Sequence, residues 1–260
     1  MILGLAPSLL GFLVVVVLLA GALNGVAGFG FALVGTMVLA TTLDPATAVV
    51  FMILPILAVN LSLFRELSAS ELRSCGRRFS PLILAALVGT VLGMVVLDRL
   101  PEAPFRVGLG VVTLLFVASA QNVVPIPRRT TARERCFVET APAMAGVGAV
   151  SGLLFGGTNV GVQVIAFLRS CDLSHGTFVG VVAMVFLGLN AVRVGAAGLL
   201  GLYPDVALAA VSAAAAIPAV LGVAVGKRIR NRVSERSRRT TVLGLLTVVG
   251  VRLVSSGVGL

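Results

Sequence analysis

Arg193 and Asn190 lie one helical turn apart inside an apolar run that extends over residues 176–201. A guanidinium held in hydrocarbon is a functional-site signal, and its planar fork matches the paired oxygens of an anionic head group. Other polar groups gather at two glycine-rich knots. The first is Gly21-Ala22-Leu23-Asn24-Gly25, followed by Gly28-Phe29-Gly30. The second begins 127 residues later as Gly148-Ala149-Val150-Ser151-Gly152, followed by Gly156-Gly157-Thr158-Asn159 and then Gln163. In hydrocarbon such residues leave backbone and amide groups unsatisfied unless they face a protein cavity or water.

The chemistry these groups offer is hydrogen-bond donation to an anion. Helix breaks expose N–H groups and the positive end of the helix dipole. Asn24, Ser151, Thr158, Asn159, Gln163 and Asn190 add side-chain groups, and Arg193 adds charge. Gly28, Gly30, Gly156 and Gly157 let the backbone approach a ligand. The competing reading of the glycines is close helix packing through small residues. For Arg193 it is snorkelling to a surface, which is the favoured reading for Arg252 in the run 240–258.

Other chemistries are poorly served. Asp44, Glu66, Glu71, Asp98, Glu102, Glu134, Glu139, Asp172, Asp205 and Glu235 all fall in connections or at run ends, so no carboxylate is placed for a mid-membrane proton or sodium relay. The lone His175 sits in a connection. Cys75, Cys136 and Cys171 share no pairing or metal-ligand spacing and are expected as reduced thiols. No nucleophile, base and metal set is in mutual reach, so neither an enzyme nor a cofactor or metal site is expected.

The elements that must position the polar groups are membrane helices. Of 260 residues, 58% are apolar and 12% charged, with a mean hydropathy of +1.11. Eight apolar runs, near 8–42, 46–64, 80–97, 105–124, 137–168, 176–201, 205–226 and 240–258, approach or exceed the roughly 20 residues that span a bilayer. Residues 1–8 lack the basic stretch of a signal peptide, so the first run is expected to be retained. The net charge of +10 comes from arginines in the connections, not from a nucleic-acid surface.

Charge counting sets the topology. If every run crosses once, the Lys and Arg totals on the two sides are ten and eight, which is no bias. If the run 137–168 enters and returns, they become sixteen and two. The expected break lies at Gly152 to Asn159 and, in the run 8–42, between Asn24 and Gly30. Asn60 then matches Asn190, Val91-Leu92-Gly93 matches Val220-Leu221-Gly222, and equivalent loops carry opposite charge. The expectation is an all-α polytopic protein of two inverted-topology repeats, residues 1–127 and 128–260, forming one membrane domain. Each repeat begins with a Gly-rich broken helix or helical hairpin, and both termini face outward.

These residues resemble the sulfite exporter TauE/SafE family, also called the toluene sulfonate uptake permeases. The likeness is carried by Gly21 to Gly30 with Ala32-Leu33, echoed by Gly148 to Gly157. It implies a multi-pass carrier in the cytoplasmic (inner) membrane for sulfite, sulfonates or related organic anions. The alternative is an anion channel or a carrier for a non-sulfur carboxylate. The partners implied are a small anionic substrate and the bilayer, with homo-oligomerisation left open.

Overall fold

The computed structural model describes residues 7–27, 30–64, 68–97, 99, 101–120, 140–171, 175–203, 206–232 and 235–259. Among them every regular element is helical: α1 (Pro7–Ala27), α2 (Phe31–Leu39), α3 (Pro45–Phe51), α4 (Ile53–Phe64), α5 (Ala69–Arg78), α6 (Ser80–Leu97), α7 (Glu102–Ala120), α8 (Ala141–Thr158), α9 (Val162–Ser170), α10 (His175–Leu199), α11 (Val206–Ile229), a 3-10 turn (Arg230–Arg232) and α12 (Glu235–Gly257). Six stretches are long and apolar enough to cross a membrane, one of them α3 and α4 together. α2 and α9, at nine residues each, are too short to cross alone.

Local chemistry sets the helix starts. Asp44 accepts from the Thr47 N–H at 2.8 Å with Pro45 in the first position, which starts α3. Ser68 and Glu71 form a reciprocal capping box at α5, and the Ser68 hydrogen bonds hold the exposed Glu71 carboxyl below its ordinary range. Pro55 cannot donate to the Phe51 carbonyl. There regular helix is interrupted at Met52. Ser212 Oγ donates to the Phe51 O that Pro55 leaves free, at 2.5 Å, and Tyr203 Oη donates to the neighbouring Val50 O at 3.2 Å.

Glycines set the helix pairs. A Cβ on Gly21 would meet Ala219 O and one on Gly25 would meet Val223 O. One on Gly152 would meet Ala86 O and one on Gly156 would meet Thr90 O. In the reverse direction Gly222 and Gly226 abut Leu18 O and Ala22 O, while Gly89 and Gly93 abut Ala149 O and Leu153 O. Contacting numbers rise together, so α1 runs parallel to α11 and α8 parallel to α6. α7 and α12 run antiparallel, with Gly110 against Gly250 and Val254, and Gly257 against Val107 and Ala103. α4 and α10 pack between these pairs.

Two sequence matches slip by one turn. Gly21 and Gly25 behave as Gly152 and Gly156 do, rather than as Gly148 and Gly152. Gly89 and Gly93 behave as Gly222 and Gly226 do, which separates Gly93 from its sequence match with Gly222. A glycine stripe of period four looks the same when slid by one turn, and only the partner's carbonyls distinguish the registers. The expected break at Gly152 to Asn159 moves as well. Gly152, Gly156 and Gly157 lie within α8, and helix ends only at Asn159, whose φ of 60° is left-handed.

α3 begins level with the start of α11, as the Ser212 and Tyr203 bonds require. α4 and α11 therefore run the same way, and their far ends carry exposed Arg73, Arg77 and Arg78 on α5 and Lys227 and Arg228 on α11. This is the basic end of the bundle. At the other end Arg106 donates to Ala40 O at 3.0 Å and Leu43 O at 3.2 Å, tying the segment after α2 to α7.

Candidate functional site

Helix α2 starts at Gly30, whose φ of 102° only glycine adopts freely, and α9 starts at Gly161; neither N-terminus has a side-chain cap from its own N-cap residue. Both starts face one cavity of about 60 Å³, larger than the roughly 10–15 Å³ that one water needs. Its wall includes Gly30, Phe31, Ala32 and Leu33 from the first break, and Phe155, Asn159 and Gly161 from the second. Asn24 and Asn60 add amides, Phe186 a second ring, and Ile56, Val59 and Leu63 carry the wall to the last turn of α4 at the basic end. No carboxylate is among the described lining residues.

Asn24 is 4% exposed, and its Oδ1 accepts from the Phe31 N–H at 3.2 Å, so a side chain of α1 caps α2 across the break. Asn159 closes the deep end. Its Nδ2 donates to Thr36 Oγ1 at 2.7 Å and to Val49 O at 3.1 Å, near the end of α3. Its Oδ1 accepts from Arg193 Nη1. Because a guanidinium only donates, this contact fixes which way the amide faces.

Arg193 is fully buried, one turn beyond Asn190, whose Oδ1 stands 3.4 Å from Nη1. The Asn190 Nδ2 donates back to Phe186 O at 2.7 Å. The guanidinium lies over the Phe155 ring at 5.0 Å from its centroid, and Phe155 in turn meets Phe186 at 4.9 Å. Nε and Nη2 have no hydrogen-bond partner. Arg193 does not snorkel. It stands behind Asn159, outside the lining, as a buried positive charge that pairs with no carboxylate among the described residues.

The other expected residues divide. Gly28 lies outside the described residues. Gly156 and Gly157 pack on α6, at Thr90 O and Gly93 O respectively. Thr158 Oγ1 donates to Leu154 O at 2.6 Å and accepts from the Val160 N–H at 3.2 Å, so it finishes α8 rather than facing the cavity. Ser151 Oγ and Gln163 Oε1 are buried without partners, and neither residue lines the cavity. Arg252 is exposed, His175 opens α10, and the buried Cys75 and Cys171 are in no disulfide, the Cys171 thiol donating to Phe167 O at 3.5 Å. Sequence reasoning passed over Thr36, Phe155, Phe186 and Asn60 as site residues. Only Asn60 carried a signal, its match to Asn190.

A comparison with known families matches residues 13–253 to the description "Sulfite exporter TauE/SafE". The chain belongs to the sulfite exporter TauE/SafE family. No curated protein and no solved structure gave a match. TauE/SafE membership carries membrane transport of sulfur-containing anions as the family activity, and this member is a multi-pass membrane protein.

Proposed function

We propose that this TauE/SafE member is a secondary transporter of small sulfur-containing or organic anions, working through the cavity between the two helix breaks. The observation that carries the reading is that two helix N-termini, α2 and α9, line one cavity with no carboxylate among its described lining residues. Helix N-termini favour negative charge. Arg193 reinforces them from behind Asn159, through the potential of its uncompensated charge and by holding the amide in place.

We further propose two inverted repeats. The equivalent use of Gly21, Gly25, Gly222 and Gly226 and of Gly152, Gly156, Gly89 and Gly93 supports this, because each first helix packs parallel to the third spanning stretch of the other half. α1 and α8 then run in opposite directions, as inversion requires. The positive-inside rule puts the basic end in the cytoplasm and both termini outside, so the cavity reaches toward the cytoplasmic face of the inner membrane.

The test is flux in proteoliposomes with sulfite, ethanesulfonate and acetate. A carrier saturates and accelerates labelled-anion exchange when the same anion is loaded on the far side. Conductance without counter-exchange makes the protein a channel, and acetate flux without sulfite or sulfonate flux makes it a carboxylate carrier. No flux of any anion refutes the proposal.

A further inference from the structure

Two amides at the basic side of the cavity have donors with nothing to bond. Asn60 is 8% exposed, lines the cavity and makes no hydrogen bond. Asn24 uses only its Oδ1, leaving Nδ2 free in the same wall. Both stand at one level. Gly25 packs on Val223 of α11, and Asn60 lies about as far past Phe51 as Val223 lies past Ser212, its hydrogen-bond partner. Both residues are buried, yet their amide atoms are not among the closed-off unpartnered ones, so they open to the cavity and mark a polar position that a ligand can complete.

This position is separate from the deep end at Asn159. From Val49, which binds Asn159, to Asn60 is roughly 16 Å of helical rise. From Thr36 to Phe31, which Asn24 caps, is roughly 8 Å. Between the two ends the wall is hydrocarbon, including Ile56, Val59 and Phe186. A bare oxyanion at the deep end leaves the second pair of amides unused.

We infer that the site has two poles, and that Asn60, with the free Nδ2 of Asn24, is a specificity-determining pair. It selects short organic anions that carry a second hydrogen-bonding group a few carbons from the anionic head. The α9 N-terminus beside Asn159 receives the head, the apolar wall receives the chain, and the amide pair at the start of α2 receives the distal group. This rests on the anion-transport reading above.

The test uses a matched pair of probes, propane-1-sulfonate and 3-hydroxypropane-1-sulfonate, which differ only in the distal hydroxyl. The readout is the ratio of their Kd values on the purified full chain. The wild type should favour the hydroxylated probe by about tenfold, the scale of one well-made buried hydrogen bond. Asn60→Leu, close in volume, should bring the ratio near one, and Asn60→Ala should do the same if the leucine variant folds poorly. Equal affinities in the wild type, or a ratio that survives both substitutions, overturns the two-pole site while anion transport stands. A wild type that binds and moves neither probe nor sulfite removes the transport reading itself.

Discussion

Replacing Arg193 by Met tests whether the charge behind Asn159 drives anion binding. The side chain sits fully buried on Asn159 with Nε and Nη2 unpartnered. An anion at the α9 N-terminus, on the cavity side of Asn159, stands beyond the width of that amide, roughly 7 Å from the guanidinium. At an effective dielectric of about 20 that separation gives about 2 kcal/mol of attraction, or about thirtyfold in affinity. The fold should survive. Removing an uncompensated buried charge relieves desolvation, while the orphaned Asn159 Oδ1 costs about 1–3 kcal/mol, so the two changes oppose each other. The assay is the KM for sulfite or sulfonate flux in proteoliposomes, with thermal unfolding in detergent alongside. Met should raise KM about thirtyfold, and Lys, which keeps the charge, should recover most of it. An unchanged KM in the folded Met variant refutes the electrostatic argument. A Lys variant as poor as Met shows that the guanidinium fork, rather than its charge, matters.

Gly152→Ala places a Cβ on the Ala86 carbonyl and should destabilise the protein by more than about 2 kcal/mol, lowering its melting temperature; Gly146→Ala, with nothing within 4 Å, should leave it unchanged or raise it slightly. Arg106→Gln removes charge-assisted bonds to Ala40 O and Leu43 O, each worth about 1.5–3 kcal/mol, so amides of residues 40–44 should exchange hydrogen faster. Glu71 has a carboxyl held below its ordinary range by Ser68, so its support of α5 is present at neutral pH and is lost as pH falls through the lowered value. Hydrogen exchange in residues 69–74 should then rise on acidification in the wild type but not in Glu71→Gln. Asn24→Ala strands the Phe31 N–H and should weaken anion binding about tenfold or more while speeding exchange at the start of α2.

Much of the architecture was legible because a bilayer restricts the choices. Runs near twenty apolar residues can only be spans, and a longer run with a central knot of glycine and amide must break or leave polar groups in hydrocarbon. Arg193 was legible for the same reason. Its role was not, because no local pattern shows Asn159 interposed between the guanidinium and the cavity. The glycines were read as one class, yet they do two jobs. Gly30 and Gly161 open short helices at the cavity, whereas Gly152 and Gly156 bring α8 onto the backbone of α6.

By itself the sequence determined a helical membrane domain, two overlong apolar runs with glycine-amide knots and an arginine within an apolar run of the second half. Periodicity and hydropathy are local properties, and they fix these whatever the packing. Only the tertiary structure decided the register of the glycine stripes, since a period of four residues is unchanged by a one-turn slide until a partner helix supplies carbonyls. It also decided that Asn159 meets Thr36 and Val49, more than a hundred residues away in the chain. The missing Pro55 N–H frees the Phe51 carbonyl, which Ser212 satisfies, while the Asn159 amide bonds the Thr36 hydroxyl and the Val49 carbonyl two residues earlier. Asn60 came to the site in the same way. A lone amide in an apolar run has no address until neighbouring helices leave it facing a cavity.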